Sequence, residues 1–136
     1  MSIDVSDIRF GVNISEGLYS DIAEEKAKRI AEVSGDKVNK STQIRRFYDE
    51  LCLWNGRINS TGTPEERQAR YRELAPLVKM LKAKVAYARG RKPKLVEENF
   101  ESMFCRCINE VKDPKTLEQC KLFMEAFMGF YKGYNG

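Results

Sequence analysis

The chain has 136 residues, the length of one ordinary domain, which is enough to bury a core without disulfides or metals. Hydrophobic residues make up 42% of it and charged residues 32%, a composition typical of a soluble globular protein that excludes a disordered one. No apolar run approaches the roughly 20 residues needed to span a bilayer, and the first residues lack the features of a signal peptide. We therefore expect a cytoplasmic protein with reduced cysteines and no membrane partner.

Positive charge is concentrated in the middle of the chain. Residues 40–94 hold 14 basic residues against five acidic ones, whereas residues 1–39 hold five against eight and residues 95–136 hold five against seven. This asymmetry points to a polyanionic partner, and by itself it does not distinguish RNA, DNA and an acidic protein.

The first part of the chain is predicted to be an arm followed by a helix. Residues 1–19 show no clear period and are expected to form an irregular, partly mobile arm. Residues 20–33 have helical spacing, with Ser20 as a possible cap, and they begin a single helical-bundle domain that extends over residues 20–136.

The second helix is predicted to start at Ser41 or Thr42, either of which can cap it. Its apolar residues recur at alternating spacings of three and four, which is typical of a buried helix face and not of a strand. These residues are Ile44, Phe47, Leu51, Trp54 and Ile58.

The remaining sequence predicts three further helices. Thr63 and Glu66 form a capping-box signal for the third, in which a kink or a short break is expected near Glu73 because Pro76 lacks a backbone donor. A fourth helix is predicted over residues 95–111, and a fifth begins after Asp113 as its cap. The fold class is therefore all-α, a compact bundle of about five helices joined by short loops.

Basic residues follow two lines on the third helix. Lys79, Lys82 and Arg89 share one line, Lys84 and Arg91 share another, and Lys92 extends the cluster at the helix end. A solvated helix face would explain a single line, but several clusters together favour a phosphate-binding surface.

The start of the second helix is a separate candidate site for phosphate. Free backbone N–H groups at a helix N-terminus attract anions, and Ser41 and Gln43 lie there beside Lys40, Arg45 and Arg46. The alternative is that Ser41 only caps the helix.

No metal, cofactor or catalytic site is predicted. Cys105, Cys107 and Cys120 could suggest zinc, but the chain has no histidine, and a two-residue step on a helix points two thiols to different sides. Without histidine, a Gly-rich phosphate loop or a nucleophile motif, an enzyme is not expected. Aromatic residues near the C-terminus could stack on bases in principle, but their helical spacing favours core packing. Tyr87 and Tyr134 are the candidates for exposed positions.

Three ordered motifs resemble one known family. Residues 40–48 read KSTQIRRFY, residues 81–91 read LKAKVAYARGR, and residues 123–132 read FMEAFMGFYK. They are similar to motifs of the small subunit of type III-A (Csm-type) CRISPR effector complexes, and the resemblance does not cover residues 1–18.

The resemblance implies a non-catalytic, all-helical subunit in antiviral defence. Several copies would form a filament beside the subunits that hold the guide RNA, and each would bind the backbone of the single-stranded target RNA. The expected partners are therefore target RNA, the guide-RNA complex, other effector subunits and further copies of the chain. By position, the implied RNA contacts are Lys40, Gln43, Arg45, Arg46, Lys82, Lys84, Arg89 and Arg91. Ser41 and Lys92 complete the candidate set.

Two alternatives share this composition. A helical adaptor or homodimer could present the same basic face to an acidic protein. A DNA-binding domain would need a recognition helix after a short turn, which the long amphipathic helices do not clearly supply.

Overall fold

A computed structural model describes residues 2–35 and 37–135, and its regular structure is helical throughout. One π-helical turn, Leu18–Ile22, leads into α1. The helices are α1 (Ala23–Glu32), α2 (Ser41–Asn59), α3 (Pro64–Lys79), α4 (Leu81–Gly90), α5 (Glu98–Asn109) and α6 (Pro114–Asn135). The described residues contain no strand. The predicted all-α bundle is confirmed, with the third predicted helix divided into α3 and α4.

The core forms around α6, which packs against both α1 and α2, while α4 packs against α5. The apolar residues predicted for α2 include four that are buried, and Trp54 is half-buried. Phe47 of α2 contacts Phe100 and Phe104 of α5, with ring centroids 5.8 and 5.3 Å apart. Phe127 of α6 continues this cluster at 6.3 Å from Phe100. Burial of these rings stabilises the arrangement of α2, α5 and α6.

Two helix starts follow from local sequence as predicted. The Thr63 hydroxyl accepts a hydrogen bond from the Glu66 N–H, and the Glu66 carboxylate accepts one from the Thr63 N–H at 2.8 Å. The hydrogen bond from the Thr63 backbone lowers the pKa of Glu66. Asp113 accepts from the Thr116 N–H at 2.8 Å at the start of α6. Both motifs satisfy N–H groups that the helices leave without partners.

Three boundary predictions were wrong. Ser20 does not cap the first helix, because the π-helical turn already begins at Leu18. No short break occurs near Glu73, because α3 is helical there and contains Pro76; the break comes at Met80, whose carbonyl accepts from the Ala83 N–H three residues on at 2.9 Å. The fourth predicted helix begins at Glu98, because the Glu97 carboxylate caps it by accepting from the N–H groups of Asn99 and Phe100.

Residues 2–17 are irregular, and several of them pack against the helices. Ile3 and Ile8 are buried, and the Ile3 N–H donates to Asn99 at 2.8 Å. The ammonium of Lys26, which is only 1% exposed, pairs with Asp7 at 2.9 Å. The predicted arm and domain ranges also include Met1, Asp36 and Gly136, which lie outside the described residues.

Candidate nucleic-acid interface

The start of α2 lies beside the end of α4. The Leu95 N–H donates to the Ala88 carbonyl at 3.0 Å, and the Leu95 carbonyl accepts from the Asn39 N–H at 2.9 Å. One residue therefore connects the last turn of α4 to the residues that begin α2. This connection brings together two basic segments that are separated by more than 40 positions in the sequence.

A buried polar network fixes Asn39, two residues before α2. Asn39 is fully buried and has a φ of 58°, a left-handed conformation that asparagine tolerates better than most residues. Its side-chain nitrogen donates to Ser34 and to Glu97, both at 3.2 Å, and its side-chain oxygen accepts from the Glu97 N–H at 3.0 Å. The Tyr131 hydroxyl donates to the Asn39 carbonyl at 2.5 Å. Sequence reasoning missed this network, because its members come from three separate parts of the chain: the segment between α1 and α2, the start of α5 and the end of α6.

The first turn of α2 has no side-chain cap, so the predicted capping by Ser41 or Thr42 was wrong. Lys40 occupies the cap position in an extended conformation, and no side chain accepts from the first N–H groups. The first turn also contains no acidic residue. The positive end of the helix dipole and its free donors are therefore open to an anion, with Lys40 beside them.

A contact between α2 and α4 orients the basic face of α2. Lys84 of α4 pairs with Glu50 of α2, with its ammonium 2.9 and 3.1 Å from the two carboxylate oxygens. Gln43 and Arg46 precede Glu50 at helical spacing and share its face of α2. Both side chains therefore lie along the edge that α2 shares with α4.

Within residues 2–35 and 37–135, four cations of this region have no partner. Lys40, Arg46, Arg91 and Lys92 are exposed, and among the residues that the structure describes none of them has an ion pair or a side-chain hydrogen bond. We call the surface that they form with two neighbours the basic junction. Its members are Lys40, Gln43, Arg46, Lys84, Arg91 and Lys92.

The other predicted cations of α4 are held by α5. Lys82 donates to Asn109 at 2.7 Å, and Arg89 pairs with Glu101 at 2.8 Å. The hydrogen bond with Glu101 raises the pKa of Arg89. These two residues were predicted to bind RNA, and the structure places them on the α5 side of α4, away from the junction edge.

Lys79 also faces α5, and it donates hydrogen bonds to backbone carbonyls at the C-terminal end of that helix. Its ammonium donates to the carbonyl oxygens of Ile108, at 2.7 Å, and of Val111. Burial lowers the pKa of Lys79, and the nearby charge of Lys82 lowers it further. The predicted basic line of Lys79, Lys82 and Arg89 is therefore largely a contact between helices.

Arg45 and Ser41 lie on the opposite side of α2. Arg45 pairs with Asp49 at 3.1 Å, and its guanidinium lies 5.7 Å from the ring centre of Tyr48. Both Arg45 and Ser41 line an open groove of about 600 Å³ between α2 and α6, which Glu125 also lines. Burial raises the pKa of Tyr48, as do Cys52 and Glu125. The ten predicted residues therefore do not form one continuous site.

The cysteines contribute to packing. Cys107 and Cys120 are buried, Cys52 and Cys105 are half-buried, and all four thiols are free. Burial raises the pKa of the Cys107 thiol. Within residues 2–35 and 37–135, no group of three or more Cys, Asp or Glu side chains could hold a metal ion. No helix in the same ranges has both the length and the apolar character required to cross a membrane.

Comparison with known proteins identifies a family. A family model described as Csm2 Type III-A matches residues 19–136, which include all six helices and the basic junction. No curated protein and no solved structure matches the chain significantly.

Proposed function

The chain belongs to the Csm2 Type III-A family, and from this premise we propose that its basic junction binds the backbone of the target RNA. Membership makes it a small subunit of a type III-A CRISPR complex, which assembles with the other effector subunits. The family is structural and generally non-catalytic. RNA binding is the further step that we propose.

The observation that carries the proposal is the connection through Leu95. It joins the last turn of α4, which Arg91 and Lys92 follow, to the residue that precedes Lys40 and the uncapped first turn of α2, and neither the Arg91 nor the Lys92 side chain has a partner among the described residues. Exposed cations without partners can bind phosphate without first breaking an internal ion pair. Free N–H groups at a helix start supply directed donors to the same kind of anion.

The chemistry of this surface suits a nucleic-acid backbone more than a base sequence. Lysine and arginine that contact phosphates set affinity and position and carry no direct sequence information. We therefore propose binding that is independent of the RNA sequence, with guide–target pairing supplying the choice of target. The cations that already have a partner, Arg45, Lys82, Lys84 and Arg89, are secondary contacts in this proposal because RNA must compete with those partners.

The rest of the proposal depends on family membership. Several copies form a filament along the complex, beside the subunits that hold the guide RNA, and the assembly works in the cytoplasm in antiviral defence. The favoured partners are target RNA, the guide-RNA complex and further copies of this chain.

The test removes three unpaired cations together. We expect the triple variant Arg46→Ala, Arg91→Ala and Lys92→Ala to bind single-stranded RNA more weakly by on the order of 10- to 100-fold at low salt, for unrelated sequences alike. Removing one cation that binds a phosphate of a single strand should also reduce the slope of log affinity against log salt by about 0.7. Fluorescence anisotropy over a range of salt concentrations measures both quantities.

A matched control removes the same charge elsewhere. Lys28, Arg72 and Lys115 are exposed, and among the described residues they have no ion pair or side-chain hydrogen bond. Replacing all three by alanine should change affinity much less. Equal decreases in affinity for the two triple variants would mean that net charge, and not the basic junction, determines RNA binding. If the variant Arg46→Ala, Arg91→Ala and Lys92→Ala lost affinity for poly-glutamate but kept its affinity for RNA, the result would favour an acidic protein partner instead.

A further inference from the structure

One aromatic side chain of α4 is exposed beside the basic junction. Tyr87 is 71% exposed, the largest exposure of any tyrosine in the chain. It follows Lys84 by three residues and precedes Arg91 by four, so the three side chains share one face of α4. The ring therefore lies between two cations, each about one helical turn away.

The other tyrosines are accounted for by the fold. The hydroxyls of Tyr48, Tyr71, Tyr131 and Tyr134 donate to oxygens of other helices or of the segments beside them, and Tyr19 packs against the core. Tyr87 has no such hydroxyl bond and no ring contact among the described residues. An exposed ring with no internal role is available to an external ligand.

The charges around the ring indicate what that ligand is. The Arg91 side chain has no partner in the part of the chain that the structure describes. The ion pair between Lys84 and Glu50 is on the surface, where such a pair contributes little and can exchange for another anion. A ligand that fits this face carries negative charge on both sides of a flat apolar group. A nucleotide strand has this pattern, with a base between successive phosphates.

We propose that Tyr87 stacks on an unpaired base of an RNA strand whose phosphates contact Lys84 and Arg91. The proposal rests on RNA binding by the basic junction, and it adds a contact to the base where the cations contact only the backbone. The base must be unpaired, because a base within a duplex already has both of its faces covered by neighbours. Stacking of this kind accepts any base, since every base has a π face.

The test combines two strands with four variants of the full chain. The strands are a single-stranded oligouridine and an oligomer of the same length whose internal riboses lack bases. The variants are Tyr87→Ala, Tyr87→Leu, Tyr87→Phe and Tyr87→Trp, and Arg91→Ala serves as the backbone control. Because Tyr87 is exposed, none of these changes should unfold the protein, and circular dichroism checks this.

We expect Tyr87→Ala and Tyr87→Leu to lose about 5-fold or more in affinity for oligouridine, and Tyr87→Phe and Tyr87→Trp to retain it. None of the four should change affinity for the abasic strand. Arg91→Ala should weaken binding to both strands by the same factor, because the Arg91 side chain contacts only the backbone, which both strands have.

The outcomes separate this proposal from the one on which it rests. If wild type binds oligouridine and Tyr87→Ala binds it equally well, stacking is wrong and backbone binding stands. If Tyr87→Ala loses affinity equally for both strands, the ring does not act on a base. If Tyr87→Leu binds oligouridine as tightly as wild type does, residue 87 makes a general apolar contact with the RNA and does not stack on a base. Absence of RNA binding by the wild-type chain contradicts both proposals.

Discussion

Two lines of basic residues follow α3 and α4, and the folded chain gives them different surroundings. The inner line, Lys79, Lys82 and Arg89, faces α5, and each member donates to an oxygen of that helix or of the residues just after it. The outer line, Lys84 and Arg91, faces α2 and solvent, with Tyr87 between its members. Lys84 has a surface ion pair with Glu50 of α2, and the Arg91 side chain has no partner among the described residues. Similar charge in the sequence therefore has two roles, to hold two helices together and to remain available to a ligand.

Substitution in the inner line is expected to have its largest effect on the stability of the fold. Lys79→Met keeps an apolar stem but leaves the carbonyls of Ile108 and Val111 without the ammonium donor. We expect the free energy of unfolding to fall by about 1–3 kcal/mol, since buried acceptors lose a hydrogen bond. Urea unfolding followed by circular dichroism measures it.

Lys92→Met is the control for this change. Lys92 is exposed and has no partner within the described residues, so its substitution should change stability by no more than about 0.5 kcal/mol. RNA affinity should show the reverse order, with Lys92→Met weakened and Lys79→Met near wild type. Equal stability of the two variants would contradict the distinction between the lines.

A smaller effect on stability should depend on pH. Burial lowers the pKa of Lys79 below its ordinary value of 10.5, so the unfolded chain binds more protons at this residue than the folded chain does. Stability from this group should therefore increase as the pH rises through the lowered pKa towards 10.5.

Comparing the free energies of unfolding of the wild type and of Lys79→Met separates the pH dependence due to Lys79 from that due to the other titratable residues. Between pH 7 and pH 10.5, the free energy of unfolding of the wild type should increase relative to that of the variant. A difference that stays constant, or that moves in favour of the variant, would show that Lys79 does not titrate as its burial indicates.

Local sequence signals predicted much of the fold. The start of α3 depends on Thr63 and Glu66, which are three residues apart, and the core face of α2 depends on helical spacing alone. Such features need no knowledge of distant contacts. The all-α class followed from them, whereas the division of the third predicted helix into α3 and α4 did not.

Features that depend on distant partners were not predicted. The start of α5 was placed too early because Leu95 bonds Ala88 and Asn39, and the cap of α5, Glu97, bonds Asn39 across 58 positions. The same limit applied to the candidate site. The sequence identified the basic residues, but only packing shows that Arg89 has Glu101 as a partner while Arg91 has none among the described residues.

Arg89 and Arg91 therefore provide the most direct test of the central claim. They are two positions apart and chemically identical, and they differ in whether the fold already uses the charge. We predict that Arg91→Ala lowers affinity for single-stranded RNA about threefold or more, and that Arg89→Ala lowers it less. The measurement is the ratio of the two dissociation constants at one low salt concentration. A greater decrease for Arg89→Ala, or equal decreases, would contradict the claim that unpaired cations of the basic junction bind the RNA backbone.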